Sequence, residues 1–328
     1  MARIFAYIVH KAGVADDSAA ELAAAARKID PAASPTAIVT GWGADLDAVC
    51  ATLQSHYGEI WKVAGETFAY PNAELVRKTL VKVLPPGSIV LAPHEHFGID
   101  LAPGLSIKLN SAFVSDVLGI EGVEGASLKL VRQEFGGQVS AHVGCDISSG
   151  AVITVRPGAF KPLESAPING IVVDKTSDVG ALTAGRRYLE TMVAESGDVD
   201  ITKHNVLVSI GRGIQEKDNV ALAQDLADAL GAAVSCSRPV VDAKWLEKSR
   251  QVGTSGKTVK PKVYLACGIS GAFQHLAGIK GNPFIVAINK NPKAPIFQVA
   301  DVGIVDDLLE FLPEFTNKVR ELHSVSPK

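Results

Sequence analysis

Four short apolar runs, residues 205–210, 233–236, 263–267 and 284–288, organise the last third of the chain. Each has the length of a strand and almost no polar residue to present to water. A well-patterned helix over 219–230 (NVALAQDLADAL) separates the first two. Strands that alternate with helices form βαβ units, and a parallel sheet covered by helices buries such runs on both faces. The expectation is a doubly wound parallel sheet over residues 200–328, closed by a helix over 306–322.

The first half begins with the same rhythm and then changes. Residues 3–10 read as a strand and 18–29 (SAAELAAAARKI) as an Ala-rich helix with Asp16, Asp17 or Ser18 to cap it. Strands at 36–39, 61–63 and 88–91 alternate with helices at 46–56 and 72–83. From about residue 112, AFVSDVLGIE, SLKLVRQE, QVSAHVG and AVITVRP follow one another without helices, which predicts an antiparallel extension of the same sheet. A helix over 180–194 and a polar gap at 195–200 end this part. The fold class expected is α/β with two domains, 1–199 and 200–328, since 328 residues exceed what one ordinary core organises.

Composition excludes several classes. The chain is 47% hydrophobic with a mean hydropathy of +0.20, yet no apolar run is long enough to span a bilayer. Residues 4–9 enter an apolar alternation directly after Arg3, so no export signal is visible. Four cysteines, Cys50, Cys145, Cys236 and Cys267, lack CxxC spacing, which argues against a zinc site and a disulfide framework and for a reducing cytoplasm. A net charge of -3 without basic blocks lacks the electrostatic footprint of a nucleic-acid binder.

Several motifs have two readings. Gly211-Arg212-Gly213 sits between a strand and a helix like a dinucleotide fingerprint, but Glu216 replaces the third glycine; it is a tight turn or a phosphate-facing one. Residues 253–258 (GTSGKT) resemble a phosphate loop whose first glycine is Gln251 instead, and Pro261 opposes a helix after it; a surface hairpin or a ligand-facing loop remains. His94 and His96 have the spacing of two metal ligands but no completing carboxylate or cysteine, and otherwise belong to a polar loop. Trp42 and Trp61 read as packing residues and Arg186-Arg187 as a solvated helix face.

The segment 267–289 (CGISGAFQHLAGIKGNPFIVAIN) is the most informative. Gly268 and Gly271 let backbone approach a ligand closely, and Ser270 supplies a hydroxyl beside free backbone N–H groups. His275 is then either a core histidine or a group facing whatever the loop anchors.

Residues 252–313 closely resemble the C-terminal signature of the electron-transfer flavoprotein α subunit: GISGAxQHLAG, VAINKxPxAPIFQVAD and GIVxDL occur in order. The likeness continues in SIGRGI (209–214), SCSRPVVD (235–242) and, more weakly, AVITVRPGAF (151–160). The resemblance implies a C-terminal FAD-binding domain and pairing with a β subunit on which the N-terminal domain packs. It places Arg212 and Ser237 at the adenosine and pyrophosphate, and Ser270, Gly271, Ala272, Phe273, Gln274 and His275 around the pyrophosphate and ribityl chain, His275 reaching the flavin pyrimidine edge. Asn289, Asp307 and Leu308 complete the adenine side. Arg238 lies against the isoalloxazine, and the loop Val252, Gly253, Thr254 and Ser255 offers the Ser255 hydroxyl to N5. The family commonly has Gln-Thr where this chain has Thr254-Ser255. No catalytic acid, base or metal is implied, because the flavin carries the electrons. Implied partners are acyl-CoA-type dehydrogenases and a membrane quinone oxidoreductase or other acceptor. The alternatives are a flavin-bifurcating complex using NADH and ferredoxin, and a non-redox adenine-nucleotide module.

Overall fold

The computed structural model describes residues 3–135, 139–162, 168–190 and 199–325. They fall into two compact units, one within Met1–Glu190 and one within Thr191–Lys328.

The first unit is laid down as β1 (Ile4–Tyr7), a small antiparallel ribbon β2 (His10–Lys11) and β3 (Val14–Ala15), α1 (Ser18–Ile29), β4 (Thr36–Gly41), α2 (Gly43–Leu53), β5 (Glu59–Ala64), α3 (Ala73–Val83), β6 (Ile89–Pro93) and α4 (His96–Leu109). It continues through β7 (Ala112–Glu124), β8 (Ser127–Glu134), β9 (Val139–Asp146), β10 (Ala151–Val155), β11 (Ile171–Asp174) and the single turn α5 (Thr176–Val179). Nine strands form one sheet in the order β11-β5-β4-β1-β6-β10-β7-β8-β9. Alternate side chains of β1 feed opposite cores. Ile4 and Ala6 pack with Leu22, Leu46 and Leu53 of α1 and α2, whereas Phe5 and Tyr7 pack with Leu80 and Leu105 of α3 and α4. Helices therefore cover both faces, as a strand buried on both sides requires.

The antiparallel extension is β7-β8-β9, but AVITV is not its last member. After β9 the chain returns and inserts β10 parallel to both β6 and β7. All five residues of β10 are buried, which a central position satisfies and an edge would not. The stretch around His94 and His96 differs too: His96 opens α4, whose glycines and internal Pro103 hide it from propensity. His94 instead bonds Thr154 Oγ1 through Nδ1 at 2.9 Å. Among the described residues no cluster of three or more His, Cys, Asp or Glu is placed to hold a metal.

No helix forms over 180–190; residues 191–194 of that expected helix lie outside the described residues. The polar groups of this backbone are taken up by other partners. Lys78 Nζ donates to Thr183 O, Glu74 accepts from the Gly185 N–H and Tyr70 OH from the Tyr188 N–H. Arg186 accordingly pairs with Asp100 at 2.7 Å and lies on no helix. Trp61 is buried against Phe5 (centroids 4.9 Å apart), but Trp42 is 55% exposed.

The second unit runs β12 (Val206–Ile210), α6 (Val220–Leu230), β13 (Ala233–Cys236), α7 (Arg238–Asp242), β14 (Val263–Cys267), α8 (Phe273–Leu276), β15 (Phe284–Ile288), β16 (Val302–Ile304) and α9 (Leu308–Val325). Its five strands are all parallel in the order β13-β12-β14-β15-β16. From β12 the chain first builds to one side, through α6 to β13, and then crosses to the other with β14. One face packs α6 and α9 through Val208, Ile210, Leu226, Leu265 and Leu312. Leu207, Tyr264 and Ala266 point to the opposite face, which irregular segments such as 251–259 and 294–297 cover. All four cysteines are free and buried, and no described helix is long and apolar enough to cross a membrane.

Candidate functional site

In an open parallel sheet the loops leaving two neighbouring strands diverge where the strand order reverses, opening a crevice at their carboxyl ends. In the second unit that point lies between β12 and β14, and a cavity of about 630 Å³ lies there. This is within the roughly 300–1,000 Å³ usual for cofactor sites.

Two glycine turns bring the walls together. After β12, the Gly211 N–H donates to Cys267 O at 2.8 Å and the Gly213 N–H to Gly268 O at 3.1 Å. Gly268 has a left-handed φ of +67°, and a Cβ there would lie 2.7 Å from Gly213 Cα. Backbone meets backbone with no room for a side chain, which is why both loops need glycine here. A third wall, 251–255, is tied down by Val252 N–H to Cys236 O and Thr254 N–H to Gln274 O, both 2.8 Å. Gln251 Nε2 donates to Ser255 Oγ at 2.8 Å, and Asn289 Nδ2 donates to Ile269 O at 3.0 Å.

The structure brings nearly all the expected site residues onto this one cavity. Arg212 comes from the β12 turn, Ser237 and Arg238 from the start of α7, and Val252, Gly253, Thr254 and Ser255 from the third wall. Ser270, Ala272, Gln274 and His275 follow β14, Asn289 follows β15, and Leu308 begins α9. Three stand beside the wall instead. Gly271 packs on the Ile296 backbone, Phe273 is 39% exposed, and Asp307 pairs with Lys290 at 2.7 Å. Lys290 itself lines the cavity, as do Gln251, Pro239 and Ile269, which the sequence reading did not include. In the sequence Gln251 stands only where a phosphate loop would have its first glycine. The Lys after Asn289 was a signal for an anion-facing cation.

Among the described residues the wall carries Arg212, Arg238 and Lys290 and no carboxylate. The nearby acids are engaged: Asp242 with Arg238 at 3.3 Å, and Asp307 with Lys290, whose hydrogen bond holds its carboxyl below the usual range. Cys236 and Cys267 lie in the strands beneath, where burial pushes each thiol up to about 12, so neither is a nucleophile at neutral pH. Such a lining suits an anionic, partly apolar molecule.

His275 is the buried titratable group of the wall, 6% exposed. Its Nε2 lies 2.7 Å from Tyr264 Oη, and Tyr264 donates to Ser209 Oγ at 2.7 Å. Burial lowers its pKa to about 4, opposed in part by the Val252 backbone carbonyl. A neutral buried histidine charges more readily in the unfolded chain, where its pKa is about 6.5. Its stabilising contribution is therefore full above pH 6.5 and is lost as pH falls to 4 and below, by about 3 kcal/mol at the limit. Chemical denaturation at pH 7 and pH 4.5 should show His275→Gln losing less stability than wild type over that interval; equal losses would exclude the histidine as a source.

Comparison with known proteins agrees with this geometry. The electron transfer flavoprotein domain model matches residues 4–197, and the electron transfer flavoprotein FAD-binding domain model matches residues 200–280. The α subunit of the electron transfer flavoprotein from Methylophilus methylotrophus is 36% identical over 318 residues, 96% of this chain and 98% of that one. The same subunit from Thermoanaerobacterium thermosaccharolyticum is 38% identical over 235 residues (71% of each chain), and that from Bacillus subtilis 34% over 276 (82% of this chain, 83% of the other). The cavity walls also fit FAD: cations for a pyrophosphate, close-packed glycine turns for its approach, and apolar surface for a ring. This chain belongs to the electron-transfer flavoprotein α-subunit family, an electron-transfer protein whose cofactor is FAD.

Proposed function

We propose that FAD occupies the cavity at the β12/β14 crevice and that the chain works as the α half of a heterodimer with a β subunit. The observation that carries this reading is the convergence of three cations and the Gly211, Gly213 and Gly268 turns on one crevice at the strand-order reversal. Arg212 and Ser237 hold the pyrophosphate and adenosine end. Ser270, Gly271, Ala272, Phe273 and Gln274 form the loop along the phosphates and ribityl chain, with Gly271 setting its turn against Ile296. Asn289, Leu308 and the Lys290–Asp307 pair border the adenine side. Arg238 and His275, with Val252, Gly253, Thr254 and Ser255, surround the ring, and Ser255 offers its hydroxyl to N5. Gln251 supports that orientation: by donating to Ser255 Oγ it leaves the Ser255 proton free to donate elsewhere.

FAD when bound accepts and releases the electrons. The chain's own residues hold it, exclude water from the crevice and set the charge around it. The N-terminal unit packs on the β subunit. Acyl-CoA-type dehydrogenases supply the electrons in a reducing cytoplasm, and a membrane quinone oxidoreductase takes them. Co-expression with the β subunit, followed by denaturation and chromatography of the released flavin, tests the assignment. Non-covalent FAD recovered in proportion to the α chain is expected; a colourless complex that neither retains nor takes up FAD would sink it.

Arg238 gives a sharper test. In the chain alone its guanidinium is exposed and leans on Asp242. An always-charged guanidinium at the ring favours the negative charge of reduced flavin over the neutral oxidised form. Arg238→Ala should lower the flavin midpoint potential by about 20–45 mV at full occupancy. That is the two-electron equivalent of about 1–2 kcal/mol, between the scale of an ordinary hydrogen bond and that of one to a charged group. Redox titration reads it, and an unchanged potential removes Arg238 from the tuning role.

A further inference from the structure

Beneath the cavity wall lies a polar group that the binding scheme does not use. Ser209 of β12, Ser235 of β13 and Tyr264 of β14 are all fully buried, and Ser209 and Ser235 are cross-strand partners. Buried hydroxyls on an otherwise apolar sheet face are retained only where they are satisfied or where they act. Tyr264 Oη sits 2.7 Å from both Ser209 Oγ and His275 Nε2. A phenol has one proton, and the geometry directs it to Ser209. The contact to His275 then holds together only if Nε2 carries the imidazole proton and donates to Tyr264 Oη. The Val252 carbonyl beside the ring is a competing acceptor, for a proton on Nδ1, but among the described residues Nδ1 makes no hydrogen bond of good geometry and is left without a hydrogen.

We propose, on the reading that this cavity holds FAD, that Tyr264 is a positioning residue: with Ser209 it anchors His275 through Nε2–H and fixes Nδ1 as the proton-free nitrogen of the buried imidazole. The imidazole is thereby held in one orientation and one tautomer by the sheet itself, through β12 and β14. Its dipole is set before the cavity is filled. A neutral ring with a fixed dipole contributes a different field from one that flips, so Tyr264 acts on the flavin through His275 without touching it.

The test uses the FAD-loaded complex with β subunit, ¹⁵N-labelled at histidine imidazoles, with His275 assigned by its absence in His275→Gln. Long-range ¹H–¹⁵N correlation should show His275 as the Nε2–H tautomer in wild type. Tyr264→Phe, which removes only the hydroxyl, should retain FAD, mix the two tautomers and shift the midpoint potential. Ser235 also lies against the Tyr264 hydroxyl, so Ser209→Ala combined with Ser235→Ala frees the Tyr264 proton to turn toward Nε2, and His275 should switch to Nδ1–H; this double variant decides the matter if Tyr264→Phe fails to fold. The Nδ1–H tautomer in wild type would overturn the proposal. So would a Tyr264→Phe complex with unchanged tautomer and potential, or a Ser209→Ala/Ser235→Ala complex that keeps Nε2–H. A wild-type complex without FAD would instead overturn the underlying reading, while the tautomer measurement on the flavin-free complex would still judge the Tyr264 anchor.

Discussion

Replacing Gly268 by alanine will weaken FAD binding about a hundredfold and leave most of the protein colourless after gel filtration. A left-handed residue with a Cβ costs about 1–2 kcal/mol. The new methyl also meets the Gly213 backbone, with its Cα at 2.7 Å and its carbonyl carbon at 3.0 Å, and backbone gives way less easily than the tip of a long side chain. Relief requires the two turns to separate, which breaks the Gly213 N–H to Gly268 O bond, worth about 1 kcal/mol. Together these approach 3 kcal/mol, or two powers of ten in affinity. Gly231→Ala is the control. It also has a left-handed φ, +62° at the end of α6, but open space around it. It should cost some stability and no flavin. If Gly268→Ala binds FAD as wild type does, the turns are not the cradle described here.

Asp116→Ala should do the reverse, destabilising the N-terminal unit by about 2–3 kcal/mol while leaving FAD content intact. Asp116 accepts from Arg156 Nε at 2.8 Å and Nη2 at 2.6 Å, with both side chains about four-fifths buried. Removing the carboxylate leaves the guanidinium desolvated with two bonds fewer, a loss well above that of a surface pair. The residue also has φ +57°, which Asp tolerates better than Ala. For a unit of this size the loss corresponds to about 5–10 °C in Tm. Burial pushes the Asp116 carboxyl up, but the Arg156 bonds and charge outweigh it and hold its pKa below the usual carboxylate value. A depressed pKa stabilises fully above the unfolded value of about 4 and is lost as pH falls below it. Asp116→Asn should therefore flatten the acid limb of the stability profile. Equal acid sensitivity in wild type and Asp116→Asn would show that other groups dominate it.

The second unit was more legible in the sequence than the first, for physical reasons. Its strands are short, fully buried and bounded by glycine, so runs such as Val263–Cys267 declare themselves, and the Gly-Ile-Ser-Gly turn after it marks the crevice. Of its strands only β16 lacks a readable signal, because Gly303 interrupts three residues at the sheet edge, and the five-residue α7 is too short to show a helical period. In the first unit α4 begins at His96 and carries two glycines and Pro103, so tertiary packing rather than propensity makes it helical. Residues 180–190 fail in the opposite way: their helix-like composition yields to side chains from α3 that occupy the backbone. The parallel insertion of β10 is a matter of topology, which local pattern does not encode. At the site, the glycine turns around 211–213 and 268–271, the 253–258 loop and the Ser270 hydroxyl are readable from the residues themselves, whereas Ser237, Arg238, Asn289 and Leu308 enter through the family resemblance and Lys290 through neither. Gln251 and the Tyr264–Ser209 pair were not readable, because they act on another side chain across strands distant in sequence.

Hydrogen–deuterium exchange on the αβ complex, with FAD bound and after its removal, tests the central claim most directly. Amides that fray in the open crevice should gain protection when the cofactor fills it, and amides elsewhere should change little. The account predicts protection concentrated in residues 211–213, 251–255 and 268–275, with the β7–β9 extension unaffected. Protection confined to other segments, with these three loops unchanged, would place the flavin elsewhere and contradict the account.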